Sequence, residues 1–227
     1  MAISNNSTGL RTGVCTSTTR PTAPYEGQMI YETDTDLTYV WGGSAWQQVS
    51  GGTAVGNSGL VYVKGQTIAT GVAAQVITSC FNNTYDAYRV VISNMTMSNT
   101  TQGVFMYAKM HDGTNPASSA YNYAIPRVDL ANGAVSATYG RSQTTGVVIG
   151  SGTGDKFGVA FDVINPFLST HTIFEGLTIS NDTTGYAGMG SGMHQASTGY
   201  TSLQIIPSTG TITGGTIIVY GYRYGTT

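Results

Sequence analysis

Residues 20–49 read RPTAPYEGQMIYETDTDLTYVWGGSAWQQV. Residues 28–32 form a short strand pattern, 33–36 a turn, 37–41 a second strand, and 42–44 a glycine-rich turn. Residues 45–49 close a three-strand meander. Met29, Tyr31, Leu37, Tyr39, Trp41 and Trp46 give this small element a heavy load of large side chains. Three short strands cannot enclose such groups on both faces, and a lone small hairpin is marginal in water. The expectation is an exposed aromatic face completed by other copies of the chain. The simplest arrangement is a homotrimer around a three-fold axis, with Met29, Tyr31, Tyr39, Trp41 and Trp46 at the contact.

Upstream, residues 1–19 are rich in Ser, Thr and Asn and nearly free of large apolar groups. They cannot bury enough surface to fold alone. They read as an extended attachment arm with Ile3, Leu10 and Val14 as its few anchors. Downstream, residues 50–58 (SGGTAVGNS) read as a flexible linker and mark a domain boundary. From residue 59 to 227 the pattern is β throughout, with turn residues at short intervals and no sustained helical period. The fold class expected is all-β: an arm and meander followed by an antiparallel β-sandwich of jelly-roll type. A short turn around residues 129–134 is the one helical candidate. The last strand, containing Ile217, Ile218 and Val219, is apolar on both faces, which predicts a central position paired with the penultimate strand.

Composition narrows the function classes. Charged residues make up 9% of the chain, against roughly 25% in an average globular protein. The net charge is −2, and no two of the nine Lys and Arg residues are adjacent. A phosphate-tracking surface needs clustered basic residues, so a nucleic-acid partner is not expected. No apolar run approaches a membrane span, and the first residues carry neither a basic nor an apolar leader segment. Synthesis in a cytoplasm, with release by lysis or within a particle, is the expectation. Cys15 and Cys80 read as free thiols.

Residues 20–49 resemble a hairpin module found near the start of many structural proteins of tailed bacteriophages, above all tail fibres and other virion appendages. The likeness lies in the Arg20-Pro21 hinge, Gly27-Gln28-Met29-Ile30-Tyr31, the Thr33-Asp34-Thr35 turn, and the closing Trp46 and Val49. Two later stretches resemble strands of phage fibre-tip and decoration domains. They are the Tyr85-Asp86-Ala87-Tyr88 run with Val90, Val91 and Ile92, and the closing Ile217-Ile218-Val219-Tyr220-Gly221. The resemblance implies a virion location and a trimeric appendage. Its first part attaches to other virion proteins of tail or capsid. Its second part faces outward, where a host-surface glycan or protein is the expected partner. A capsid decoration protein of the same build is the alternative.

The candidate chemistry is sparse. Residues 150–156 (GSGTGDK) miss the phosphate-loop spacing and place Asp155 where a phosphate would sit. Glu32, Asp34 and Asp36 alternate as in a calcium loop but lack its glycine, so they read as a turn held by side-chain to backbone hydrogen bonds. No nucleophile elbow, paired metal-ligand spacing or cofactor fingerprint occurs. No catalytic, metal or cofactor residue is therefore assigned. Asp162 and Glu175 lie in adjacent strand patterns and would face each other, which a polysaccharide-cleaving appendage requires. A rim role near an arginine or at a subunit contact is the competing reading. The run 185–194 (GYAGMGSGMH) reads either as an exposed loop that presents side chains to a partner or as a strand whose glycines permit close packing at a three-fold axis. Tyr121, Tyr123, Tyr186, His194 and Tyr200 are the candidates for facing a receptor.

Overall fold

The computed structural model describes residues 12–49, 59–100, 104–152, 157–179 and 185–223. The expected anchors Ile3 and Leu10 and the expected linker lie outside the described residues. The chain divides into two compact units, one reaching to Asn57 and the other spanning Ser58–Tyr224.

The first unit is a four-stranded sheet in the order β1 (Gly13–Cys15), β2 (Met29–Glu32), β3 (Leu37–Trp41), β4 (Trp46–Gln48). β2, β3 and β4 form the meander, and β1 joins it in parallel, with Val14 opposite Tyr31. The sequence pattern placed β1 in the arm, because three residues with one large apolar group leave no periodic signal. Strand alternation sorts the large side chains. Ile30, Glu32, Leu37, Tyr39, Trp41 and Trp46 share one face, whereas Met29, Tyr31 and Val40 share the other. The single aromatic face expected for Met29, Tyr31, Tyr39, Trp41 and Trp46 is thus split in two.

Part of the first face is covered by the chain itself. Ile30 and Glu32 are buried. Arg20 forms an ion pair with Glu32, and its guanidinium lies 4.5 Å from the centre of the Tyr39 ring. Thr35 donates to the second Glu32 oxygen at 2.8 Å. Asp34 accepts the Ser17 backbone N–H at 2.9 Å and its hydroxyl at 2.6 Å, while Asp36 accepts from Tyr31. These carboxylates therefore tie distant segments together rather than only capping their own turn. Trp41 and Trp46, directly paired across β3 and β4, meet edge to face at 5.5 Å and are half-buried.

The second unit contains β5 (Gly59–Thr67), β6 (Gln75–Ile77), β7 (Ala87–Met97), β8 (Val104–His111), β9 (Tyr121–Asp129) and β10 (Val135–Gln143). It continues with β11 (Val147–Gly152), β12 (Phe157–Ile164), β13 (Thr172–Ile179), β14 (Tyr186–His194), β15 (Ser202–Pro207) and β16 (Ile212–Arg223). All pairings are antiparallel. One sheet runs β10-β9-β14-β13-β12-β7-β16-β5, the other β11-β8-β15-β6. Setting aside β9, β10, β13 and β14 leaves two four-stranded sheets, β5-β16-β7-β12 and β6-β15-β8-β11. This is the strand order of a jelly roll. The two inserted hairpins, β9–β10 and β13–β14, then widen the first sheet beyond β12 by four strands.

Two sequence expectations change. β16 lies between β7 and β5 and does not pair with β15, which sits in the opposite sheet, because jelly-roll connections send neighbouring strands across the sandwich. Residues 129–134 make the β9–β10 hairpin turn, with Gly133 in the left-handed region at φ 73°, and no helix occurs among the described residues.

The core lies between the sheets. It includes Tyr88, Ile92 and Met95 of β7, Met106 and Met110 of β8, Leu203 and Ile205 of β15, and Ile217 and Val219 of β16. Tyr88 explains part of the Tyr-Asp-Ala-Tyr pattern. Its hydroxyl accepts the Asn82 N–H and donates to the Asn82 carbonyl, both at 2.8 Å, closing the preceding loop. Tyr85 lies so close over β16 that a Cβ on Gly221 would meet its ring at 2.4 Å. Cys80, also buried, has its thiol pushed up to about 12 by that burial; it and Cys15 are free thiols.

β14 resolves the two readings of the glycine run: it is a strand. Gly188, Gly190 and Gly192 alternate with Met189, Ser191 and Met193, and the glycines face β11. A Cβ on Gly192 would lie 2.7 Å from Val147 of β11 and 2.8 Å from the Asn122 carbonyl. The close approach is made within one chain, not at a symmetry axis.

Two outcomes follow. Gly192→Ala is expected to destabilise the second unit by about 1–3 kcal/mol through overpacking, whereas Ser191→Ala on the opposite face changes it by less than about 0.5 kcal/mol; chemical denaturation followed by far-ultraviolet circular dichroism checks both. Trp41 and Trp46 are the only tryptophans, so tryptophan fluorescence reports on the first unit alone. Arg20 holds the Glu32 carboxyl below its usual range, so stability present above about pH 4.5 is lost as the pH falls through that carboxyl's folded value. In Arg20→Met the neutral-pH stability drops and this acid slope becomes shallower.

Candidate functional site

The two faces of the strands that widen the large sheet have opposite destinies. On the inner face, Phe174 and Ile125 are buried, and β11 lies against the glycines of β13 and β14. On the outer face, register brings Ile173, Leu177 and Ile179 of β13 beside Met193, Met189 and Ala187 of β14. Ala124 and Val128 of β9 follow, then Tyr139 and Val135 of β10. These outer side chains are far more exposed than apolar groups usually are: Val135 and Tyr139 80%, Leu177 71%, Met189 69%. Four strands of about eight residues span roughly 500 Å², from strand spacing and rise. That reaches the upper end of what a monomer ordinarily leaves bare.

A polar row crosses the same face. Arg89 of β7 is opposite Asp162 of β12, which is opposite Glu175 of β13, which is opposite Ser191. Arg89 Nη1 lies 3.2 and 3.3 Å from the two Asp162 oxygens. The Tyr222 hydroxyl donates to Asp162 Oδ1 at 2.8 Å, and Tyr222 followed by Asp162 holds the Arg89 guanidinium above its ordinary range. The two carboxylates that a polysaccharide-cleaving reading requires are thus direct neighbours. Asp162, however, is committed through both oxygens to Arg89 and Tyr222, and Glu175 stands on the open side of the sheet. This is the geometry of a structural ion pair beside a lone surface carboxylate.

A groove of about 460 Å³ opens on this face, between Ala124, Arg141, Ile173, Ser191 and Met193. Among the described residues no cluster of three or more His, Cys, Asp or Glu has metal-binding geometry.

The residues expected to face a receptor sit elsewhere. Tyr121, His194 and Tyr200 are buried and stack as a cluster, with ring centres 4.6 Å apart for Tyr121 and His194 and 5.2 Å for His194 and Tyr200. The Tyr121 hydroxyl accepts the Met110 N–H at 2.8 Å. Tyr123 packs against the core, and Tyr186 lies under Arg127 at 4.6 Å. Strand alternation turns Tyr121, Tyr123, Tyr186 and His194 to the inner face, and the loop before β15 buries Tyr200, so Tyr121, His194 and Tyr200 are not the exposed contacts expected. The exposed set, Val135, Tyr139, Leu177 and Met189, was missed. Its signal was present: Ile173, Leu177 and Ile179 alternate with inward residues, and the glycines of β14 force its methionines outward.

No protein-family model matches the sequence, and neither a curated protein nor a solved structure is similar to it.

Burial lowers the His194 pKa below the ordinary histidine value, and His171 adds to this, against a raising hydrogen bond to the Ser119 backbone. Because the folded value lies below the unfolded one, stability is complete above about pH 6.5 and declines as the pH falls below it. Guanidinium denaturation at stepped pH is expected to show this slope in the native chain and to lose it in His194→Gln.

Proposed function

We propose that this protein is a non-enzymatic structural component of a tailed-phage particle, a homotrimeric appendage that attaches through residues 1–49 and presents the jelly-roll unit outward. The exposed apolar outer face of the widened sheet carries the reading. Leaving Leu177, Met189, Val135 and Tyr139 in water is unfavourable, and another protein surface removes the cost at about 25 cal/mol per Å². Copies of the chain are the surfaces always present at equal concentration. The likeness of residues 20–49 to the phage module supports the particle assignment, and the weakly charged composition agrees with it.

The face offers two surfaces to neighbours. The outer face of all eight strands spans roughly 1,000 Å², which two neighbours divide into contacts of roughly 500 Å² per partner, smaller than the roughly 800 Å² of a standard interface. Its two halves differ. β9, β10, β13 and β14 carry aliphatic groups, while β5 and β16 carry Tyr62, Tyr220 and Tyr222, with Tyr62 and Tyr220 edge to face at 6.4 Å. In the proposed trimer each copy packs one half against the other half of its neighbour, a heterologous contact that a three-fold axis closes.

Light scattering of the full chain at micromolar concentration is expected to give three times 23.7 kDa. Leu177→Asp combined with Met189→Asp is expected to give a folded monomer, because both side chains are exposed in the isolated chain. A monomeric native chain contradicts the trimer. Electron microscopy of particles locates the protein: density on the tail agrees with the appendage, whereas density on the head replaces it with a decoration protein.

A further inference from the structure

The sequence holds one Asn-Gly pair, Asn132-Gly133, and the fold sets it at the tip of the β9–β10 hairpin. Ala131, Asn132, Gly133 and Ala134 are all exposed. A Cβ built on Gly133 would meet nothing within 4 Å. The Gly133 peptide nitrogen therefore stands in open surroundings, with no side chain of its own to shield it. A peptide nitrogen so placed can attack the side-chain carbonyl of the asparagine before it.

The hydrogen bonds of the turn favour that attack. Asn132 Oδ1 accepts the Ala134 N–H at 2.8 Å, an Asx turn that folds the side-chain amide back toward the main chain. The same bond polarises the carbonyl and stabilises negative charge that gathers on Oδ1 as a nucleophile adds. The Gly133 N–H donates to the Asp129 carbonyl at 2.8 Å and must leave it before it ionises. That bond lies in an exposed turn leading into β10, an edge strand, where local opening costs least. Asn82 provides a contrast within the chain. Its Oδ1 accepts the Thr84 N–H at the same 2.8 Å, but it is half-buried and Asn83 follows it in place of a glycine.

We propose that Asn132 is a site of spontaneous deamidation through a cyclic imide. Hydroxide removes the Gly133 N–H proton, and the nitrogen forms a bond to Asn132 Cγ. The Cγ–Nδ2 bond breaks, and the amide nitrogen takes a proton from water and leaves as ammonia. Water then opens the ring at either carbonyl, which gives an aspartyl or an isoaspartyl linkage at position 132, with nothing oxidised or reduced. Either product adds a carboxylate near Asp129, whose Oδ1 accepts the Ala131 N–H at 2.8 Å. The new charge stands close to Val135, 80% exposed, so one end of the apolar outer face becomes more polar as the protein ages.

The test incubates the full chain at mildly alkaline pH, beside a synthetic peptide of residues 128–141, and follows both by mass spectrometry. Trypsin releases residues 128–141, which carry Asn132, and residues 65–89, which carry Asn82. The 128–141 fragment of the folded chain is expected to gain about one dalton and to separate into aspartyl and isoaspartyl forms before the 65–89 fragment changes. Gly133→Asn, a residue that tolerates the left-handed region, is expected to slow the gain at position 132 about tenfold by shielding the peptide nitrogen. A 128–141 fragment that stays unchanged in the folded chain once the free peptide has fully converted overturns the proposal. So does an earlier gain in the 65–89 fragment, or a rate at position 132 that Gly133→Asn leaves as it was.

Discussion

The close approach of β11 to β14 governs the shape of the second unit. A Cβ on Gly192 would collide with Val147, and one on Gly176 would collide with Phe161. Glycine on the inner face lets the smaller sheet close over strands that a plain jelly roll does not have. The same choice empties the inner face of side-chain volume at those positions. What apolar bulk β14 carries is therefore on its outer face, in Met189 and Met193. Tight inner packing and a bare outer face have one cause, the alternation of a nine-residue strand.

The first unit solves a different problem. Four short strands cannot build an apolar core deep enough to hold themselves together. Here the centre of the covered face is an ion pair, with Arg20 placed over Tyr39 and Glu32 accepting from both Arg20 and Thr35. An arginine suits this place because its planar group can stack on a ring and pair with a carboxylate at once. The Arg-Pro start of the module and its Glu-Thr turn are thus two ends of one contact. Removing Arg20 leaves the Glu32 charge buried without its partner, a larger penalty than the pair's own net gain.

Much of this architecture was legible in the sequence, and the illegible parts have definite causes. The meander, the all-β class and the jelly-roll topology follow from alternating runs and turn residues. β1 was invisible because it depends on a parallel partner reached through thirteen intervening residues, 16–28. The pairing of β16 with β7 and β5 rather than β15 was missed because apolar residues on both faces of a strand mark an interior place in a sheet but not which strands flank it. Tyr121, His194 and Tyr200 were read as exposed because tyrosine and histidine serve core and surface alike, and only register decides between them. A rim place near an arginine was one reading of Asp162 and Glu175, but which arginine was illegible, because only the β7–β12 register sets Arg89 opposite Asp162.

Charge placement bears on what the outer face can meet. In a homo-oligomer a surface meets copies of its own composition, so a strongly charged face repels itself and pays for every approach. The face seen here avoids this. Arg89 and Asp162 cancel each other within 3.2 Å, and the aliphatic half carries only Glu175 in the transverse row and Arg141 at the groove. Neutrality leaves long-range steering weak, so association depends on the apolar groups once contact is made. A partner of opposite charge would find little to recognise. The polar row then acts as a register mark: whatever lies against Leu177 and Met189 must also offer Glu175 a donor or leave it at the wet edge.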